Sequence, residues 1–582
     1  MGSLGTETTV NDEVFDLIIV GAGINGLYAA RSYLAIQPCI NLIVIDSLST
    51  VGGVWSKERI YPGLHVQTAP EYFELPELQY KDLDPPVEYN GKGFMTGPSW
   101  SRYFQAWSEK VGLTKYIRLS TTIRQITRHE DGTGKKWWRC HIADSPRALS
   151  AEKLIVANGI TSLPNYPDLD WSNFTKPVMH HRYFGERSKE WDNEHVKNVT
   201  IYGAGKGSMD NIVQLAKAGK KIKWVIRKEG RGPCWILDGN LPGGRHAEYL
   251  GFSRILALLM PSLYQDSGFP GLHYFFKRNI IGRNISKFIM NSSKRVALML
   301  MQPITPNIEK AIPELPPFWM YHVIGVDNYD VKIWDYFRDG TVEVIRDNIV
   351  SLQGDTIGLA SGDSFTTDAV VFATGWKAGV SLFSENQTLE MRLGLPSKQY
   401  SEEYSSKWKT LENEADKRVY AENPILKDAP TAPRVPPQES GPFRLYHYTV
   451  PTEFADRSIV FLGVSPSPGT SHYALIMGLW TAAYMSGKLE LPTKEEMEKV
   501  TAFELRFTQI RHVGFSNEFP LISFDWMSIA AVMLQEAGIN PYMKKNWISE
   551  IFTAYTWEDY TTIYDQWIAK YGLVEGKPPA SE

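Results

Sequence analysis

Between Asp16 and Asp46 the chain reads DLIIVGAGINGLYAARSYLAIQPCINLIVID, an order of residues that few folds accommodate. Leu17 to Val20 form an unbroken apolar, β-prone run, as a strand buried on both faces requires. The glycines that follow have separate steric roles: Gly21 for a tight turn, Gly23 for close approach of backbone to a pyrophosphate, and Gly26 for close packing of helix on strand. The new helix presents unpaired N–H groups and the positive end of its dipole to the phosphates. A second apolar strand, Leu42 to Ile45, ends at Asp46, about 20 residues on, where a carboxylate can accept from ribose hydroxyls. Strand, glycine turn, helix, strand and terminal acid together predict a dinucleotide cradle.

The pattern returns once. Val199 to Tyr202 reads as a strand, Gly203-Ala204-Gly205-Lys206-Gly207-Ser208 as a second glycine-rich turn, and Met209 to Ala218 as a helix. Ser208 takes the place of the third glycine, where a small side chain still fits. The next strand, Lys223 to Ile226, ends in Arg227 and Lys228, with Arg231 nearby, rather than in an acid. A basic strand end suits a ribose 2′-phosphate, whereas an acid suits a free hydroxyl. Two cradles of opposite polarity predict two nucleotides, FAD in the first and NADPH in the second. A P-loop is excluded, because Lys206 is followed by Gly207 and lacks the glycine spacing before it.

At 582 residues the chain has room for two to four domains, and its formal charge of -4 gives no general attraction to nucleic acid or anionic lipid. Cys39, Cys140 and Cys234 are odd in number and far apart, which excludes a disulfide framework and a CxxC redox pair and predicts a reducing, cytoplasmic setting. No apolar run reaches the length of a membrane span, and no signal peptide opens the chain. Met1-Gly2 with Thr6 matches a loose myristoylation pattern without a basic cluster beside it, which leaves peripheral membrane contact open.

The predicted fold class is α/β: two Rossmann-like dinucleotide-binding domains with a mostly helical insertion and a helical C-terminal region. Residues 14–170 form the first part of the FAD-binding domain, and residues 171–375 the NADPH-binding domain with an insertion at about 232–330. Residues 376–490 return to the first domain, and 491–575 are helical. Within this frame Gly53, Val54 and Trp55 bring backbone and an indole to the first ligand, and the loop His65 to Thr68 lies on the carboxyl side of the first sheet. Ser99 to Val111 reads as a helix whose aromatics are core, and Tyr116 to Ile126 with Trp137 to Ile142 as an antiparallel flap. Ser458 to Gly463 and the helix from His472 return to complete the first site.

Both glycine turns bracket Phe174-x-Lys176-x-x-x-His180-x-x-x-Phe184, and Phe372 to Trp376 reads FATGW. With the segment Val225 to Trp235, these motifs resemble the flavin-containing monooxygenases, class B flavoprotein monooxygenases, and especially their fungal FAD- and NADPH-dependent branch, over residues 14 to 490. The resemblance implies an NADPH-consuming enzyme that transfers one oxygen atom from dioxygen, through a flavin hydroperoxide, to a small organic substrate of secondary-metabolite type. It implies Gln67, and with it Thr68, over the flavin; His180 toward the NADPH pose; and backbone near Ile123 beside adenine. Lys176 replaces the signature glycine. Phe184 and Asp327-Asn328 depart from the Baeyer-Villiger relatives, which carry Trp and a catalytic Arg there. Baeyer-Villiger oxidation of a ketone and NADPH-dependent flavin dehydrogenase or oxidase chemistry are the alternatives.

Overall fold

The computed structural model describes residues 12–575 except 231, 241–244, 266–267, 378–380, 384–385, 399, 432–439, 455 and 515–518. Arg231 and the Met1-Gly2-Thr6 pattern lie outside the described residues. The strand Glu13–Val20 runs parallel to Leu42–Ile45 on one side and to Ala148–Val156 on the other, in register Ile19 to Val44 and Ile19 to Ile155. Leu17, Ile18 and Ile19 are fully buried, each contributing roughly 1.5–3 kcal/mol of hydrophobic stabilisation. The free edge of Ala148–Val156 is shared: its first half pairs antiparallel with Lys136–Ile142, its second half parallel with Ile459–Phe461. In this way the flap leaves the sheet where the returning chain enters it.

The predicted strand Tyr116 to Ile126 is two strands. Ile117–Arg118 pairs parallel with Val44 and Ile45, the chain turns at Ser120 (φ 51°), and Ile123–Glu130 begins the antiparallel flap. The turn crosses the carboxyl ends of the strands, held by Thr121 N–H donating to Asp46 O at 2.9 Å. The helix Gly97–Lys110 buries Trp100, Tyr103, Phe104 and Trp107, as its spacing predicts. Two of them also bond to neighbouring chain: the Tyr103 hydroxyl accepts from Leu75 N–H at 2.8 Å, and the Trp107 indole donates to Glu77 at 3.1 Å.

The second sheet is parallel throughout, in the order Val342–Arg346, Lys221–Ile226, Asn198–Tyr202, Ala369–Phe372, Val178–His180. Its insertion leaves along Ile236–Asp238 and returns along Gly325–Asp327, two short parallel strands paired to each other. Between them lie the helices Arg254–Leu259, Pro270–Arg278 and Ile280–Leu300. After the second sheet the chain rejoins the first domain, and the helix Thr470–Met485 packs on Ile24–Ile36. A Cβ on Gly478 would stand 2.8 Å from Tyr28 O, so glycine sets how closely those helices approach. The helices Lys494–Arg511, Trp526–Glu536 and Ile563–Tyr571 complete the C-terminal region.

Candidate active site: two nucleotide cradles and the hinge between them

The two glycine turns are superposable in their logic. Gly21 has φ +114°, and a Cβ there would stand 2.3 Å from Ala157 O; Gly203 has φ +121°, with Ala373 O at 2.1 Å. Each turn is therefore pinned against the strand end that follows it in the sheet, and no other residue satisfies both the angle and the gap. Gly26 lacks room of another kind, since its Cβ would stand 1.9 Å from Gly21 O. Gly23 and Gly205 differ from these. Both are helix N-caps in extended conformation (φ -79° and -78°) with no side chain capping the helix. A Cβ on Gly23 would meet Gly53 Cα at an ordinary 3.6 Å, and one on Gly205 would meet nothing within 4 Å. The fold does not need glycine at those two positions, whereas a phosphate approaching the helix N-terminus does. That is the fit expected of a dinucleotide at each turn. Ser208 donates to Gly203 O at 2.8 Å and so braces the second turn from within.

Gly53, Val54 and Trp55 form a short helical turn opposite Gly23, tied to it by Gly52 N–H donating to Ala22 O at 2.9 Å. Asp46 accepts from Ala22 N–H at 2.7 Å and Leu48 N–H at 2.9 Å, one bond to each oxygen. Burial raises its carboxyl pKa above the ordinary value, against the pull of those two bonds. The Thr121 bond to Asp46 O brings Ile123 to the same end of the sheet. Gly463 closes this site from the far end of the chain, where a Cβ would stand 2.5 Å from the Asn25 side chain.

At the second cradle the two cations are not equivalent. Lys228 pairs with Asp347 at 3.1 Å, and its N–H donates to Asn348 at 3.2 Å. Arg227 is exposed and has no ion pair among the described residues.

Both connections between the domains meet at one hinge. Trp376 and Lys377 pair antiparallel with Pro164 and Leu163. His180 is fully buried, accepts from Arg182 N–H at Nδ1 (3.1 Å) and donates from Nε2 to Gly375 O (3.0 Å). Burial pushes it down to about 4, so it is a neutral strut with both ring nitrogens committed to backbone. Sequence reasoning passed over its neighbour His181, whose ring lies 4.8 Å from that of Trp376 and where a Cβ on Gly207 would stand 2.6 Å from Nδ1. Arg59 lies over Trp376 at 5.3 Å and donates to Thr161 O at 2.8 Å.

The loop His65 to Thr68 is held by the return of the insertion. Gln67 Oε1 accepts from Val326 N–H at 3.1 Å, and the Asn328 amide donates to His65 O and Val66 O at 3.1 and 3.2 Å. Asn328 Oδ1 in turn accepts from Lys206 Nζ at 3.1 Å, which also contacts Asp210 at 2.5 Å and the Tyr329 hydroxyl at 2.8 Å. A continuous polar chain thus joins the second glycine turn, through Lys206 and Asn328, to the loop carrying Gln67. Beyond it, Asp327 pairs with Lys92 at 2.8 Å. Ala69 N–H donates to Glu248 at 2.5 Å, and desolvation pushes that carboxyl up to about 8. Asn328 and Glu248 carry no motif, and only the folded chain brings them to this loop. Asn328→Ala removes two donors to one loop and should raise KM for the pyridine nucleotide and lower kcat together, with FAD content unchanged; steady-state kinetics on the yellow protein checks this.

Known proteins align with this arrangement. Residues 18–233 match the pyridine nucleotide-disulphide oxidoreductase family. The FAD-dependent monooxygenase DEP4 of Alternaria brassicicola is 31% identical over 570 residues, covering 95% of each chain. The FAD-dependent monooxygenase resA of Aspergillus sclerotiorum is 29% identical over 580 residues, 96% of this chain and 98% of that one. Among solved structures, an open form of cyclohexanone monooxygenase shares the fold with a TM-score of 0.58 and 14% identity, over 90% of this chain and 98% of that one. Cys39, Cys140 and Cys234 are all free.

Proposed function

The chain belongs to the FAD-dependent monooxygenases, and from that we propose that it holds FAD in the cradle of Gly21, Gly23, Gly26 and Asp46, takes electrons from NADPH in the cradle of Gly203, Gly205 and Arg227, and places one oxygen atom of dioxygen on a small organic substrate of secondary-metabolite type. The observation that carries this reading is the pair of cradles, alike in turn geometry, unlike in the charge of the closing strand, and joined by a hinge. FAD, when bound, supplies the two-electron chemistry and the activation of dioxygen.

The protein's share is positioning and exclusion of water. The two helix N-termini would hold the pyrophosphates, Asp46 would offer its remaining lone pairs to ribose, and Gly53 to Trp55 would cover the nucleotide. Asn328 and Val326 fix the loop on which Gln67 sits, and the Gln67 amide N–H₂, which makes no hydrogen bond among the described residues, would be its donor to the flavin. Lys206 makes that loop answer to the occupancy of the second cradle. His180, being neutral and bonded to backbone at both nitrogens, acts on domain orientation rather than on protons.

Arg227 is the better candidate for the 2′-phosphate, because Lys228 already has a carboxylate partner. Arg227→Ala should cut the preference for NADPH over NADH by roughly 10- to 100-fold, the value of one or two charge-assisted hydrogen bonds. Lys228→Ala should change it by less than about threefold, as a partly satisfied surface charge does. The two kcat/KM ratios measure this, and equal losses would reassign the contact. For the function itself, the purified protein should release FAD on denaturation and consume oxygen in step with an oxygenated product found by mass spectrometry. Oxygen uptake that ends only in hydrogen peroxide across a broad substrate panel would favour an oxidase.

A further inference from the structure

The insertion carries a surface that neither nucleotide cradle uses. Helix Ile280–Leu300 is apolar on two opposite faces. Gly282, Ser286, Met290 and Ala297 are buried, and a Cβ on Gly282 would stand 2.0 Å from Phe275 O, so this face is locked on the preceding helix Pro270–Arg278. On the opposite face Ile281, Ile285, Phe288, Val296 and Met299 project at helical spacing, with Phe288 74% and Met299 64% exposed. Ser292 lies in the same row, but its hydroxyl donates to Phe288 O at 2.8 Å and is spent within the helix. Ile280, the first residue of this helix, and Tyr274 on the preceding helix extend the surface. A second exposed apolar group, Trp547, Ile548 and Phe552, lies on the helix Trp547–Phe552, which packs, as Pro270–Arg278 does, against the short helix Arg254–Leu259.

Charge identifies what covers this surface. From Gly268 to Ile308 the sequence contains no Asp or Glu, but it contains Lys277, Arg278, Arg283, Lys287, Lys294 and Arg295. Lys287 is held by Asp428 at 2.7 Å, and Lys277 is buried. Arg278, Lys294 and Arg295 are exposed and have no ion pair among the described residues, as has Lys545 beside Trp547. A second copy docking face to face would bring these cations into one interface, which repulsion opposes. An anionic lipid surface neutralises them while burying the apolar row.

We propose that the helix pair Pro270–Arg278 and Ile280–Leu300, with Trp547, Ile548 and Phe552, seats the enzyme on the surface of a membrane containing anionic lipid. The helix lies in the interface and does not cross it. Four cations within its 21 residues and a buried small-residue face exclude a span, and among the described residues no helix is long and apolar enough for one. Arg254–Leu259, which packs against Pro270–Arg278 and against the helix Trp547–Phe552, is part of the same insertion that returns to the Gln67 loop along Gly325–Asp327.

Co-sedimentation of the full-length, FAD-loaded protein with vesicles tests this. Wild type should sediment with phosphatidylcholine vesicles containing phosphatidylserine, less with phosphatidylcholine alone, and less at high salt. The triple substitution Ile285→Ser, Phe288→Ser and Met299→Ser removes only exposed groups. It should lower vesicle binding by at least about tenfold with FAD content and thermal midpoint unchanged. Arg278→Ser with Lys294→Ser and Arg295→Ser should remove the preference for phosphatidylserine. Wild type remaining in the supernatant with both vesicles would overturn the proposal, as would the apolar triple variant binding like wild type. Sedimentation velocity supplies the third arm: a dimer that the triple substitution abolishes, in a protein indifferent to vesicles, would assign the surface to a second copy.

Discussion

Gly23→Ala should purify as a folded but colourless protein, and Gly205→Val as a yellow protein that NADPH no longer reduces. Neither position needs glycine for the fold, since a Cβ on Gly23 would meet Gly53 Cα at 3.6 Å and one on Gly205 would meet nothing within 4 Å. On the proposed function, the added carbons would occupy the space through which a pyrophosphate approaches the helix N–H groups. Losing two such charge-assisted bonds costs about 3–6 kcal/mol, a fall in affinity of roughly 10²- to 10⁴-fold. Gly21→Ala and Gly203→Ala provide the contrast, because there the Cβ would stand 2.3 and 2.1 Å from a carbonyl oxygen at φ of +114° and +121°. They should fail at folding, by about 3 kcal/mol or more, rather than at binding. Flavin content, isothermal titration with NADPH and thermal midpoint read the four variants apart. If Gly205→Val bound NADPH like wild type, the second cradle would be misassigned.

The second large effect lies away from the nucleotides. His447 is buried and bonded to Glu504 at 2.7 Å through Nδ1 and to Glu536 at 3.1 Å through Nε2, while its own N–H donates to Glu504 at 3.1 Å. Glu536 also accepts from the Tyr446 hydroxyl at 2.7 Å and the Trp480 indole at 2.8 Å. Burial alone would push the imidazole pKa down, but the two carboxylates outweigh it and hold it at about 10. This cluster ties the segment after the second domain to the helices Lys494–Arg511 and Trp526–Glu536. His447→Ala leaves Glu504 buried without its counter-charge and should cost about 3–5 kcal/mol. The sign of the pH dependence follows from a folded pKa above the unfolded one. The histidine's contribution is complete below about 6.5 and is lost as pH rises from there to about 10. Wild-type thermal stability should decline over that window, and the component due to His447 should be missing from the variant. An unchanged midpoint in His447→Ala would remove the cluster from the account of stability.

Much of this arrangement can be read from the chain because its glycines perform steric work. Gly21 and Gly203 are legible as turns since only glycine fits both the angle and the carbonyl beside them, and the apolar strands around them have no other period. The contrast between Asp46 and Arg227-Lys228 is legible for the same reason, each standing at a fixed distance from its turn. What separates Arg227 from Lys228 is Asp347, which reaches Lys228 only after the long insertion and is invisible to local pattern. Asn328 likewise meets the Gln67 loop because Gly325–Asp327 pairs with Ile236–Asp238, a long-range registration that no motif encodes. Tyr116 to Ile126 alternates as one strand would, but Ser120 turns it, so that the chain can pass from beside Val44 and Ile45 to the flap. The face of Ile280–Leu300 shows the converse limit: its helical spacing is plain in sequence, whereas which of its two apolar stripes is left outside is decided by packing.

Transfer of electrons between the guests of the two cradles is the claim on which the functional reading stands. Anaerobic addition of NADPH to the FAD-loaded protein, followed at the flavin absorbance band, tests it most directly. Wild type should bleach stoichiometrically with NADPH and much more slowly with NADH, and Gly205→Val should stay yellow with either. Flavin that remains oxidised in wild type while NADPH is demonstrably bound would contradict the account.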